Sequence, residues 1–258
     1  MKGFLKLKKN RRKIVSNGAC GVTLREWPDI VFQAKRGYNA KVRDFEPFWR
    51  KNYERKAFNL IEKYTGLQWR RLANHIEVVA RRPNEKEKVF AALTDIPNRP
   101  DRISLFDVKS NESLSKDLIH ELIHSIIWST YLWDQRTKKI GLFDDIFADE
   151  LLSELISQKI YIRLHLSKKM DYRGALQYGF ETALEKIADI LGVKADTWKL
   201  DKDARKSSAA AKNLRKDMLK KLEKWFREYL KNVEMRNTNA LKAVNEIANL
   251  FSNIIENR

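Results

Sequence analysis

ESLSKDLIHELIHSIIWSTY, residues Glu112–Tyr131, is the stretch from which the rest of the chain is read. Leu114, Leu118, Leu122 and Ile126 recur every fourth residue, so the spacing predicts an amphipathic helix, with Ser110, Asn111 or Ser113 as its candidate cap. Inside it stands His120-Glu121-Leu122-Ile123-His124. Helix positions i and i+4 differ in direction by about 40°, so both imidazoles leave one face and can bind a single cation. Neutral imidazole is a good zinc ligand. Glu121, beside the first histidine, falls close to such a metal without ligating it. From there it can take a proton from a zinc-bound water, which the metal has already made acidic. The chain has only 4 His, so this pattern in a helical frame is a poor candidate for coincidence.

Zinc in a catalytic site needs a third protein ligand and one open position. Extending the motif as HExxHxxGxxH fails, because Ile127 and Thr130 stand where glycine and histidine are required. That excludes the metzincin arrangement. His165 lies fifteen residues beyond Glu150, about 22 Å along a continuous helix, and His75 sits on an expected strand. The better candidates are in Asp149-Glu150-Leu151-Leu152-Ser153-Glu154, which opens the next expected helix. Glu150 and Glu154 share a face opposite Leu151, Leu152 and Leu155, and an inward carboxylate is costly unless it meets a metal or another cation. Glu150 is assigned as third ligand. Glu154 is assigned to accept the free N–H of a ligating histidine and fix its orientation. Asp145 and Asp149 remain alternatives to Glu150. Acidic residues also favour a helix N-terminus for electrostatic reasons alone, and that applies to Asp144, Asp145 and Asp149.

Working outward, three β-like stretches precede the motif: His75–Ala80, Val89–Leu93 and Arg102–Val108, separated by turn-rich links around Pro83-Asn84 and Pro97–Pro100. Upstream, Phe45–Tyr64 has helical spacing and Gly66 is its expected stop. Downstream, helices are expected over Asp145–Leu164 and over Arg173–Leu191, the latter stopped by Gly192. Two more are marked by Leu214–Val233 and Leu241–Ile254, with a turn at Asn237–Asn239. The fold class is therefore α+β: a small mixed sheet, the helix bearing the motif, a following glutamate helix and a C-terminal helical bundle. Three regions are expected: a basic N-terminal arm at 1–43, irregular with short β-like pieces such as Ile30–Phe32, a metal-binding domain at 44–198, and a basic helical hairpin at 199–258.

Charge divides the chain in the same way. Of 52 Lys/Arg and 34 Asp/Glu, residues 1–56 hold 16 and 5, residues 57–198 hold 21 and 21, and residues 199–258 hold 15 and 8. The body is neutral and the ends are basic, which makes nucleic acid or an acidic protein a candidate partner for the ends. No base-reading module accompanies the charge. The one cysteine, Cys20, cannot form an internal disulfide, and no stretch has the apolar length of a signal peptide or a membrane span. The expected location is the cytoplasm.

HELIH followed by a helix carrying ExxxE resembles the gluzincin group of zinc metallopeptidases, the thermolysin-like arrangement. The spacing and the DELLSE segment are also similar to those of compact zincins from mobile elements and antirestriction proteins. The resemblance covers about residues 70–165. It implies one zinc held by two histidines and a glutamate, Glu121 as catalytic base, and a peptide or protein substrate. It also implies that the substrate pairs as an extended chain with a sheet edge, here Val89–Leu93. These enzymes often steady the oxyanion with a histidine or tyrosine. Tyr131, Tyr161, Tyr172 and Tyr178 are the candidates, with none preferred. The expected function is a zinc-dependent metallopeptidase. The alternative is a nucleic-acid-associated protein, with a mobile-element or defence role, that keeps the metal site and works mainly through its basic ends. A structural protein braced by zinc is a third reading.

Overall fold

A computed structural model describes residues 27–69, 75–84, 91–95, 99–106, 110–133, 142–179 and 209–255. Most of the basic arm, Cys20, and the stretch containing Leu191, Gly192 and the expected boundary at 198/199 lie outside the described residues.

The sheet has four strands in the order β1-β2-β4-β3. They are β1 (Asp29–Ala34), β2 (His75–Ala80), β3 (Ala92–Asp95) and β4 (Arg99–Leu105). β1, β2 and β4 run parallel, and β3 runs antiparallel to β4. The inner strands match the sequence reading: His75–Ala80 is a strand over its whole expected span. β4 begins three residues before the expected Arg102 and ends at Leu105. The largest difference is β1. Ile30 and Phe32 point inward in alternation, so this part of the expected arm is a full strand of the sheet, paired in register from Asp29↔His75 to Ala34↔Ala80. Alternation over only six residues beside charged neighbours is a weak signal.

Between β1 and β2 the chain forms α1 (Asn39–Asn52) and α2 (Glu54–Thr65). One helix was expected here, over Phe45–Tyr64. The chain breaks at Tyr53, whose backbone leaves helical geometry, and Pro47 lies inside α1. Gly66 ends α2 in the left-handed conformation, φ +67, which a glycine adopts without steric cost. The two helices bury Phe45, Trp49, Phe58, Ile61 and Tyr64. Phe58 stacks on Trp27 at 6.2 Å and meets Trp69 edge-on at 5.2 Å.

After β4, Ser110 caps α3 (Asn111–Trp133): its Oγ accepts from the Ser113 N–H at 3.1 Å. Leu114, Leu118, Ile119, Leu122, Ile123, Ile126 and Ile127 are all buried. A helix apolar on so many sides must be enclosed, and α3 packs against β3, β4, α1, α2 and α4 (Leu142–Arg163). His165, in the left-handed region at φ +60, turns the chain after α4, and residues 172–179 form a further helical segment.

Two C-terminal helices, α5 (Ala209–Glu234) and α6 (Ala240–Ile255), join the same core, α5 against α2 and α6 against α4. Leu222, Phe226, Tyr229, Ala243 and Ile247 are buried in it, and Tyr229 donates its hydroxyl to the Tyr64 carbonyl at 2.7 Å. Among the described residues, no helix is long and apolar enough to cross a membrane.

Candidate metal centre

The centre is built where α3 and α4 face each other. With 3.6 residues per turn, the i, i+4 spacing brings His120 and His124 to one side of α3, and α4 presents Glu150 opposite them. The two Nε2 atoms lie 3.0 Å apart. Glu150 Oε2 is 3.4 Å from His124 Nε2 and 3.7 Å from His120 Nε2. These three ligand-type groups, 6%, 1% and 1% exposed for His120, His124 and Glu150, form a cluster that could hold a metal ion.

The outer ring nitrogens are also held by α4, and in the same manner. His124 Nδ1 is 2.8 Å from Asp149 Oδ2 and 3.3 Å from Ser153 Oγ. His120 Nδ1 is 3.3 Å from both Glu154 Oε2 and Ser157 Oγ. Each imidazole thus has one carboxylate and one hydroxyl behind it, an arrangement that fixes ring direction and leaves Nε2 free to face a metal. The stretch Asp149-Glu150-Leu151-Leu152-Ser153-Glu154-Leu155-Ile156-Ser157 supplies all of these groups, at steps of three and four residues along one helix face. Its leucines and Ile156 are fully buried.

Of the two alternatives for the third ligand, Asp149 is accounted for elsewhere. Its Oδ2 binds the outer nitrogen of His124 and also accepts the Trp128 indole N–H at 2.7 Å. The side chain of Asp145 lies outside the described residues. Glu154 lies beside the outer nitrogen of His120, and Gln158 donates to its Oε1 at 2.9 Å. Asp149, Ser153, Ser157 and Trp128 were not predicted in these roles. The i, i+4 spacing of Asp149 and Ser153, and the i, i+3 spacing of Glu154 and Ser157, are the signals that could have found them.

Electrostatics agree with a site made for positive charge. Burial lowers the pKa of the His120 ring, but hydrogen bonds to Glu150 and Glu154 outweigh it and raise the value to about 9. Burial acts on His124 in the same sense, and Asp149 and Glu150 together push it well above the usual histidine range. Three carboxylates lie around the two imidazoles, an arrangement that favours positive charge on or between the rings.

Glu121 is buried on the next position of α3 and turns towards the sheet. The hydroxyl of Thr94, on β3, lies 2.6 Å from its Oε2 and 3.1 Å from its backbone carbonyl. β3 (Ala92–Asp95) is an edge strand beside β4 and holds Ala92 and Leu93 of the expected edge Val89–Leu93, whose first two residues lie outside the described residues. Among the candidate tyrosines, Tyr161 donates its hydroxyl to the Lys116 carbonyl at 2.8 Å, and Tyr172 packs against Phe226 of the hairpin. Tyr178, on the 172–179 segment, sets its ring edge-on to His120 at 5.4 Å. Tyr131 has its side chain outside the described residues. His75 is exposed at the start of β2, and His165 lies at the far end of α4.

Comparison with protein-family models, with curated proteins and with solved structures finds no match to this chain.

Proposed function

We propose that this chain is a zinc-dependent metallopeptidase of the gluzincin type. The observation that carries the reading is the convergence of His120 Nε2, His124 Nε2 and Glu150 Oε2 at separations of 3.0, 3.4 and 3.7 Å. These values bracket about 3.3 Å, the ligand-to-ligand edge of a tetrahedron with zinc bonds of roughly 2.0–2.1 Å. Two imidazoles and one carboxylate are a donor set that suits zinc, and three protein ligands leave one position for water or substrate.

When bound, zinc supplies Lewis-acid polarisation of a carbonyl and acidifies the attacking water. The protein's own groups do the rest. Glu121 accepts the proton of that water and passes it to the departing amine, so one carboxylate serves both halves of the reaction. Asp149 with Ser153, and Glu154 with Ser157, hold the two rings in place while charge is redistributed.

The test is a full-length protein loaded with zinc and offered fluorescein-labelled casein. The wild type is expected to carry one zinc per chain and to release labelled peptides. Glu121→Gln is expected to keep the zinc and lose the hydrolysis. Hydrolysis by that variant with its metal verified, or no zinc in the wild type, would refute the reading.

A second reading, nucleic-acid association, draws on the exposed Lys35, Arg36, Lys41, Arg43, Lys51, Arg55 and Lys56. If it holds, fluorescence anisotropy with DNA and RNA will show binding that weakens steeply as salt rises. Absence of binding at low salt would eliminate it.

A further inference from the structure

We infer that Thr94 is a positioning residue for Glu121, holding that carboxylate from the strand to which an extended peptide would add. The inference deepens the peptidase reading and rests on Glu121 being its base.

Three observations carry it. β3 is only four residues long, and its burial alternates so that Ala92 and Thr94 point inward. Thr94 is the polar one of the two and is almost fully buried. A hydroxyl enclosed in this way costs stability unless it finds an acceptor. The acceptor it finds is Glu121. Its single hydrogen has two oxygens within reach, the carboxylate at 2.6 Å and the backbone carbonyl at 3.1 Å. The carboxylate oxygen is the nearer, so it is the stronger partner. Finally, the ladder between β3 and β4 is irregular at this point: Thr94 pairs with Ile103, but Asp95 pairs with Arg99. Such bulges re-aim a side chain and recur beside active sites.

The consequence is mechanical. With Oε2 fixed by the Thr94 hydroxyl, the other oxygen of Glu121 is left for the water that attacks. A peptide pairing with the outer edge of β3 would bear on the strand that carries this hydroxyl. Substrate docking and placement of the base are then one event, two bonds apart.

The experiment compares Thr94→Val, which keeps the shape and loses the hydroxyl, with Thr94→Ser, which keeps the hydroxyl. Both are made in the full chain loaded with zinc, and Thr94→Ala replaces the valine variant if valine does not pack. Two readouts are taken: cleavage of fluorescein-labelled casein, and the carboxylate carbon resonance of Glu121, identified by its loss in Glu121→Ala. Thr94→Val is expected to lower kcat about tenfold, the worth of one hydrogen bond to a charged group. KM should stay within about twofold, since uniform binding is untouched. The Glu121 resonance should move, and Thr94→Ser should restore both values.

An unmoved resonance or an unchanged kcat in Thr94→Val would overturn the inference. So would a serine variant that behaves like valine, because then shape and not the hydroxyl is what counts. A wild type that does not cleave casein would count against the peptidase reading. The resonance alone would then decide whether Thr94 holds Glu121.

Discussion

The region under α1 and α2 and the seam between α3 and α4 are packed in opposite ways. Under α1 and α2, aromatic rings fill the volume: Phe32 meets Phe45 edge-on at 5.8 Å, Phe45 leans on Trp49 at 6.3 Å, and Phe58 lies between Trp27 and Trp69. In the seam, the buried groups are His120, His124, Asp149, Glu150, Ser153 and Ser157. The first region asks for volume and is indifferent to which apolar side chain supplies it, within packing limits. The second asks for identity at each position, because removing one partner of a buried charged pair costs about 3–5 kcal/mol whatever volume replaces it. One region fills the core, and the other gathers groups that could hold a cation.

The largest expected effect breaks the seam. His120→Ala combined with His124→Ala removes two of three ligands, and zinc binding should be abolished. Elemental analysis of the purified variant checks this, and full occupancy would mean that the metal is held elsewhere.

The next breaks the aromatic region. Phe58→Ala should cost about 3–5 kcal/mol of stability through lost burial and a residual cavity. Urea unfolding measures that loss. Zinc affinity of the fraction that remains folded should be unchanged, and a large fall in affinity would show that the two regions are coupled.

A smaller effect sharpens the seam from within. Glu150→Ala should weaken zinc most. Asp149→Ala should follow with about a 10–100-fold loss, because orienting partners of ligating histidines carry that weight. Glu154→Ala should cost less than Asp149→Ala. The contact of His120 with Glu154 is 3.3 Å against 2.8 Å for His124 with Asp149, and Asp149 also anchors Trp128. Chelator competition ranks the three. If Glu154 outranked Asp149, the two imidazoles would not be held as the distances imply.

The smallest effect is one of pH. In metal-free protein the His120 pKa is raised from 6.5 to about 9 by Glu150 and Glu154, against burial. A raised folded-state value stabilises the fold fully below the unfolded value of about 6.5, and that contribution is lost as pH rises through about 9. The Tm of chelator-treated protein should therefore fall by a few degrees, roughly, across this window. Zinc-loaded protein should show no such fall, since the rings are then held neutral by the metal.

The two regions also differ in how openly the sequence displays them. His120 and His124 stand side by side as their spacing implies, because positions i and i+4 share one helix face. Glu150 and Glu154 followed from the cost of turning a carboxylate towards leucines. Asp149 was ambiguous, since an acid in the first turns of a helix has an electrostatic reason to be there without any metal. Thr94 carried no signal at all. Its partner, Glu121, lies 27 residues away, and a lone threonine in a short strand resembles any other. Ile30 and Phe32 were seen as β-like, but their place in the sheet depends on pairing with β2, a contact between distant residues that local periodicity does not record. The break at Tyr53 was hidden for a similar reason, because apolar spacing continues smoothly from α1 into α2.

Among the described residues, the carboxylates and hydroxyls beside the imidazoles all come from nine residues of α4, at 149, 150, 153, 154 and 157. Such a helix reads its own register. One residue inserted or deleted between Glu150 and Ser153 would turn everything beyond it by about 100°, carrying Ser153, Glu154 and Ser157 away from the rings and pressing leucines against them. Substitution can explore the apolar face of α4 one side chain at a time. A change of length inside 149–157 has no such gradual path, so keeping the imidazoles enclosed by these groups means keeping that count of residues.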